Sequence, residues 1–180
     1  TWIGHATLLL QHKGVNILTD PHLTQRASPF SFAGPKRSTP PGLSIEDLPI
    51  IDLIVISHNH YDHLDKLTIK TLYERQPNHP PKIFVPLKLK QWFLDLGIKN
   101  VTELDWKDSV KFGEWQIHAV PVQHWSSRTP FDRNKTLWAG WVLETEGFRF
   151  FFAGDTGYSK DFKNLRVQFG QIDLAAIPIG

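Results

Sequence analysis

The sequence predicts a layered α/β or α+β domain in which mixed sheets carry helices on their outer faces. Three observations predict it. Residues 51–97 alternate strand, helix, strand, helix, and beyond Val101 the texture turns to short paired strands. Residues 51–57 form a nearly continuous apolar run, as in a strand buried on both faces. A chain of 180 residues suits one domain, 1–180, with a substantial core.

Thr1, Trp2 and Ile3 read as strand. Residues 6–11 and 15–19 are apolar runs rich in strand formers, and His12-Lys13-Gly14 between them suits a hairpin with Gly at the turn. Residues 20–43 show no period and are punctuated by Pro21, Pro29, Pro35, Pro40 and Pro41, which marks a long loop of the kind that carries function. Ser44 reads as the cap of a one-turn helix over 44–47. After the 51–57 strand, Leu64, Leu67, Thr71 and Leu72 recur at helical spacing until Pro77. A strand over 82–85 and a helix over 87–96 stopped by Gly97 complete the alternation. Strands follow over 109–112, 115–120, 137–144 and 148–153, with turns at Gly113-Glu114 and Glu146-Gly147. A helix over 160–169 leads into a last strand over 172–179.

Composition excludes several classes. Charge sums to only +2, with 41% hydrophobic and 21% charged residues, so neither a disordered acidic tail nor a nucleic-acid-binding stripe is indicated. No apolar run approaches the roughly 18 residues of a membrane span, and no signal peptide opens the chain, so a cytoplasmic or peripheral membrane location is expected. With Cys at zero, a metal would be held by His and carboxylate alone. Met is also zero and both ends read as strand, as in an internal piece of a longer protein; a processed mature chain is the alternative.

Directly after the buried strand comes Ser57-His58-Asn59-His60-Tyr61-Asp62-His63. Strand alternation sends His58 and His60 the same way, and a turn then presents Asp62 and His63 at a second centre. Neutral imidazole and carboxylate are the donors a divalent metal takes in a site open to water. His124 and Asp155 each follow a strand and complete the candidate set; read singly, one is a loop His and the other a turn residue. Gly154 and Gly157 around Asp155 permit close backbone approach. Asp20 at a strand end is a candidate to hold a ligand imidazole, or a turn residue before Pro21. His5 is a further candidate beside the ligands, or a satisfied core His; Tyr61 is a candidate for substrate contact, or an outward-facing aromatic, and Arg128 is a further candidate for substrate contact.

The His58-to-His63 cluster, the later His and Gly154-Asp155-Thr156-Gly157 resemble the metallo-β-lactamase-fold hydrolases. Trp2-Ile3-Gly4-His5-Ala6-Thr7, Thr19-Asp20-Pro21, Arg26-Ala27-Ser28-Pro29, Gly34-Pro35-Lys36-Arg37, His124-Trp125-Ser126-Ser127-Arg128, Leu137-Trp138 and the stretch from Phe151 to Tyr158 resemble the branch of N-acylphosphatidylethanolamine-hydrolysing phospholipases D. That resemblance implies an αββα sandwich with two zinc ions between its sheets. His58, His60 and His124 would hold one ion, Asp62 and His63 the other, and Asp155 would bridge them. The family places one more His on the second ion, at a position this sequence does not reach. The implied reaction is attack of metal-bound hydroxide on a phospholipid phosphodiester, with Asp62 orienting the hydroxide and accepting a proton. A lactonase or other ester hydrolase of the same fold, and an incomplete metal-binding or lipid-binding fragment, are the competing readings. Iron or manganese would also suit such donors. Arg26, Phe30, Phe32, Lys36 and Arg37 mix rings with cations as a lid or lipid-facing surface does; an ordinary covering loop is the alternative.

Overall fold

The computed structural model describes residues 1–179. Its elements run β1 (Trp2–Gly4), β2 (Thr7–His12), β3 (Val15–Thr19), β4 (Leu53–Val55), α1 (Lys66–Glu74), β5 (Lys82–Pro86), α2 (Lys90–Leu94), β6 (Val101–Leu104), β7 (Ser109–Phe112), β8 (Trp115–Val120), β9 (Gly140–Thr145), β10 (Phe148–Phe152), α3 (Asp161–Phe169) and β11 (Leu174–Ala176). Strands β1 to β6 form one sheet in chain order, and the second sheet runs β11-β10-β9-β8-β7. Both sheets are mixed. In the first, the antiparallel β1, β2 and β3 meet the parallel run β3, β4, β5 and β6; in the second only β10 and β11 pair parallel.

Alternation along the strands explains the layers. Leu53 and Val55 of β4 pack with Ile17, Phe84, Trp115, Ile117, Trp141, Leu143, Phe150 and Phe152 in a core between the sheets. Their neighbours Ile54 and Ile56 face the other way, onto Ile69 and Leu72 of α1 and Phe93 of α2. Both faces of β4 are therefore buried, which is why its sequence is apolar without a period. Val142 and Phe151 leave the second sheet on its outer side and pack against Leu165 and Phe169 of α3. Helix, sheet, sheet, helix is the resulting stack. The β2–β3 turn places Lys13 and Gly14 at φ 48° and 78°, the left-handed pair of a two-residue hairpin.

Several expected elements differ. The predicted helix over 44–47 is a turn, in which the Ser44 hydroxyl donates to Asp47 Oδ2 at 2.8 Å and Pro49 follows too soon for continuation. The strand over 51–57 is regular only at Leu53–Val55, and the last strand only at Leu174–Ala176. Residues 137–139 are not in β9, because Leu137 N–H donates to Leu87 O and Ala139 N–H to Ser57 O instead of to a neighbouring strand of its sheet. Strand β6 was not expected. Among the described residues no helix is long and apolar enough to cross a membrane.

The long loop after β3 is ordered by its own side chains. Arg26 donates to Gly34 O at 2.6 Å, and Arg37 reaches back to the carbonyls of His22 and Thr24. Asp65 joins this loop to α1. Its carboxylate caps the helix by accepting from Leu67 N–H at 3.2 Å and also accepts from Thr68 Oγ1 and Thr24 N–H.

Candidate metal centre

Three segments from the two sheets converge at one end of the sandwich. The chain leaving β4 stays extended through Ile56, whose N–H donates to Phe84 O, and then turns through residues 58–65 into α1. Beyond β8 the loop carrying His124 arrives, and beyond β10 the chain bends at Gly154 (φ +58°) to present Asp155. Ser57 and Gly154 are in close contact: a Cβ on Gly154 would lie 2.4 Å from Ser57 Cβ. Trp141 Nε1–H donates to Ile56 O at 2.9 Å and ties the sheets together beside the site.

His58 Nε2 lies 2.7 Å from His60 Nδ1, and His124 Nε2 lies 3.2 and 3.3 Å from these two atoms. A second group gathers His5, Asp62 and His63. His5 Nε2 is 3.0 Å from Asp62 Oδ2 and 3.2 Å from His63 Nε2. Asp155 Oδ2 sits between the groups, 3.3 Å from His63 Nε2 and 3.6 Å from His124 Nε2. Behind them Asp20, fully buried, accepts from Ser57 N–H at 2.6 Å, Ser57 Oγ–H at 2.5 Å and His63 Nδ1–H at 2.6 Å. Ser57 Oγ is also 2.8 Å from His58 Nδ1. One buried carboxylate thus orients an imidazole of the second group directly and one of the first through a hydroxyl.

The electrostatics of the first group suit ligation. Burial, reinforced by the neighbouring imidazoles, holds His58 well below the usual histidine range. Burial likewise lowers His60 and His124, so all three are neutral near pH 7. Burial opposes a charged His63, but hydrogen bonds to Asp155 and Asp20 and the charges of Asp20 and Asp62 raise its pKa to about 10. Although burial disfavours the Asp62 carboxylate, His5 and His63 hold it well below the usual range, and Asp155 is lowered against burial by His63. Burial raises the Asp20 carboxyl against the bonds from His63 and Ser57. Three neutral imidazole nitrogens turned toward one another, with no anion among them, form a set whose lone pairs a divalent cation would satisfy. The second set, two imidazoles and a carboxylate, has the same donor chemistry.

All six residues expected as ligands are brought together. Asp20 stands behind the cluster, bonded to Ser57 and His63. His5 is not a core His: half exposed, it faces the site from the β1–β2 turn at φ 49°, beside Asp62 and His63. The signal was Gly4, since a Gly in a strand pattern marks a bulge, and the β1–β2 register does shift there. Arg128 does not reach into the centre. Its Nη1 donates to the Asn59 and Leu64 carbonyls at 2.9 and 2.7 Å, and its guanidinium lies 4.0 Å over the Tyr61 ring. Tyr61 is accordingly the stacking partner of Arg128. A cleft of about 1060 Å³ opens beside the site, lined by His5, His124 and Asp155 and by the apolar Leu8, Phe150 and Phe152.

Residues 15–180 match the β-lactamase superfamily domain. A Caenorhabditis elegans N-acyl-phosphatidylethanolamine-hydrolyzing phospholipase D is 47% identical over 190 residues, covering 100% of this chain and 53% of the relative. A mitochondrial Saccharomyces cerevisiae protein of the same description is 36% identical over 187 residues, covering 100% of this chain and 39% of the relative. The chain thus spans about half the length or less of these curated relatives. Among solved structures, the metallo hydrolase Igni18 of Ignicoccus hospitalis superposes with a TM-score of 0.71 at 22% identity, over 100% of this chain and 70% of that one, and shares the fold. The fold, the site and the match over residues 15–180 together place this chain in the β-lactamase superfamily.

Proposed function

We propose that this chain carries the binuclear metal centre of a phosphodiesterase that hydrolyses N-acylated phospholipids and releases phosphatidic acid. The observation that carries the reading is the position of Asp155, whose Oδ2 lies within 3.6 Å of an imidazole nitrogen in each ligand group. His58, His60 and His124 would hold one cation, Asp62 and His63 the other, and Asp155 would bridge them. Zinc fits these nitrogen and oxygen donors, as would iron or manganese. Cations held there supply Lewis acidity, acidifying water and neutralising charge that develops on a phosphoryl group.

The chain's own residues do the rest. Asp20 fixes the His63 ring, and through Ser57 the His58 ring, so that Nε2 of each faces the centre. Asp62 stays ionised, accepts a hydrogen bond from the attacking water and orients it. His5 Nε2, half exposed, lies 3.0 Å from Asp62 Oδ2 and helps to hold that carboxylate in place. The substrate class rests on the descriptions of the worm and yeast relatives. Exposed Phe30 and Phe32, on the long loop that also carries Arg26 and Lys36, support contact with a phospholipid surface. Phosphatidic acid release from N-acylphosphatidylethanolamine by metal-loaded protein, lost in His60→Ala with the fold retained, is the expected result. Lactone opening without phosphatidic acid release, or full activity in His60→Ala, overturns the proposal.

A further inference from the structure

Arg128 lies four residues after His124, yet its side chain is spent on a different segment. The two carbonyls it binds bracket the ligand loop: Asn59 sits between His58 and His60, and Leu64 directly follows His63. Between these points the loop has little support of its own, with His63 N–H and Leu64 N–H both donating to His60 O at 3.1 and 2.9 Å. The guanidinium is largely buried between two rings, 4.0 Å over Tyr61 and 5.3 Å from Trp92. Its main chain is pinned as well. Arg128 N–H donates to Asp132 Oδ1 at 2.9 Å, and Ser126 Oγ–H donates to Thr136 O at 2.6 Å. A planar donor fork can span two carbonyls while stacked on an aromatic face; the ammonium of Lys cannot do both.

We propose that Arg128 is a positioning residue that clamps the 59–64 loop against the His124 loop and so fixes the separation of the two ligand groups. His124 rides on the same short segment as the clamp, while His60, Asp62 and His63 lie on the loop it closes. One side chain therefore registers ligands from both sheets. The effect on metal binding rests on the metal reading above; the effect on loop order stands apart from it.

The experiment compares wild type with Arg128→Lys by amide hydrogen exchange in metal-free protein and by cobalt(II) titration followed in the visible spectrum. Exchange at the His63 and Leu64 amides is expected to rise about tenfold or more while β4 and β9 stay protected. Cobalt affinity is expected to fall about tenfold or more, with an altered spectrum. In turnover, kcat falls and KM holds. Tyr61→Leu, which removes one stacking face and leaves the guanidinium, shifts the same amides in the same direction and serves if Arg128→Lys fails to fold. Unchanged exchange and cobalt binding with a raised KM would overturn the proposal and move Arg128 to substrate contact. Faster exchange in the variant, with no cobalt taken up even by wild type, would support the clamp and refute the metal reading instead.

Discussion

Gly154→Ala separates two effects that meet at the site. The residue adopts φ +58°, where a side chain costs about 1–2 kcal/mol, and the new Cβ would stand 2.4 Å from Ser57 Cβ and 2.7 Å from its Oγ. Overpacking of that kind adds about 1–3 kcal/mol, because Ser57 is held by Asp20 and cannot rotate away freely. The expected loss is therefore about 2–5 kcal/mol in total. Gly147→Ala is the control: φ is +73° but nothing lies within 4 Å, so only the backbone effect of about 1–2 kcal/mol applies. Thermal unfolding reads the difference at about 2–4 °C per kcal/mol for a chain of this size. Because displaced Ser57 drags Asp20 from His63, Gly154→Ala should also weaken metal binding about tenfold, which Gly147→Ala should not. Equal losses in the two variants would refute the argument that Gly154 is required by contact with Ser57.

Asp20→Asn keeps the shape but leaves either the Ser57 or the His63 donor facing an amide N–H; a loss of about 1–3 kcal/mol and a fall of about 10- to 100-fold in metal affinity are expected, read by urea unfolding and chelator competition. Burial opposes ionisation of Asp132, but bonds from the Thr129 and Arg128 N–H groups and the Ser127 hydroxyl hold its folded pKa below the ordinary value. Its stabilising effect is thus full above about pH 3.9, the unfolded value, and is lost as pH falls through the folded pKa. The stability gap between wild type and Asp132→Asn should shrink on going from pH 7 to pH 3, and a constant gap would count against it. Phe30→Ser with Phe32→Ser should reduce binding to anionic phospholipid vesicles in a sedimentation assay, since both rings stand exposed on the loop; undiminished binding would remove that loop from the lipid contact.

What could be read in the sequence depended on whether a residue's partners leave a local pattern. β4 was legible because burial on both faces makes its sequence apolar throughout, and the candidate ligand cluster because four of its six residues, His58, His60, Asp62 and His63, fall within six positions just after that strand. β6 was not, since Val-Thr-Glu-Leu buries only its two end residues and shows neither alternation nor an apolar run. Residues 137–139 looked like strand from composition, but their backbone bonds go to Leu87 and Ser57. Arg128 was the least legible, because its acceptors are main-chain carbonyls, and a carbonyl carries no residue identity.

His5 shows how the backbone itself builds the centre. His5, Asp20 and Gly154 have φ values of 49°, 35° and 58°, and each lies just beyond a strand that would otherwise carry the chain past the site. At Lys13 the same left-handed geometry merely closes a hairpin. At the site it bends three chains toward one point, and for the two side-chain-bearing residues it is unfavourable unless the surroundings hold it. Asp20 is held in full burial by three hydrogen bonds to its carboxylate, and its main chain donates to Val55 O and accepts from Thr7 Oγ1–H. The His5 side chain meets Asp62 and His63 through a single ring nitrogen, and the bond that its carbonyl accepts from Trp2 Nε1–H at 2.9 Å is exposed to solvent. The strain at His5 therefore depends on the second ligand group, and the β1–β2 turn should be the first part of the site to relax when Asp62 is neutralised. Asp62→Asn should accordingly raise amide exchange at His5 and Ala6 before it affects the Asp20 network, and the reverse order would place the weak point in the core beneath the ligands.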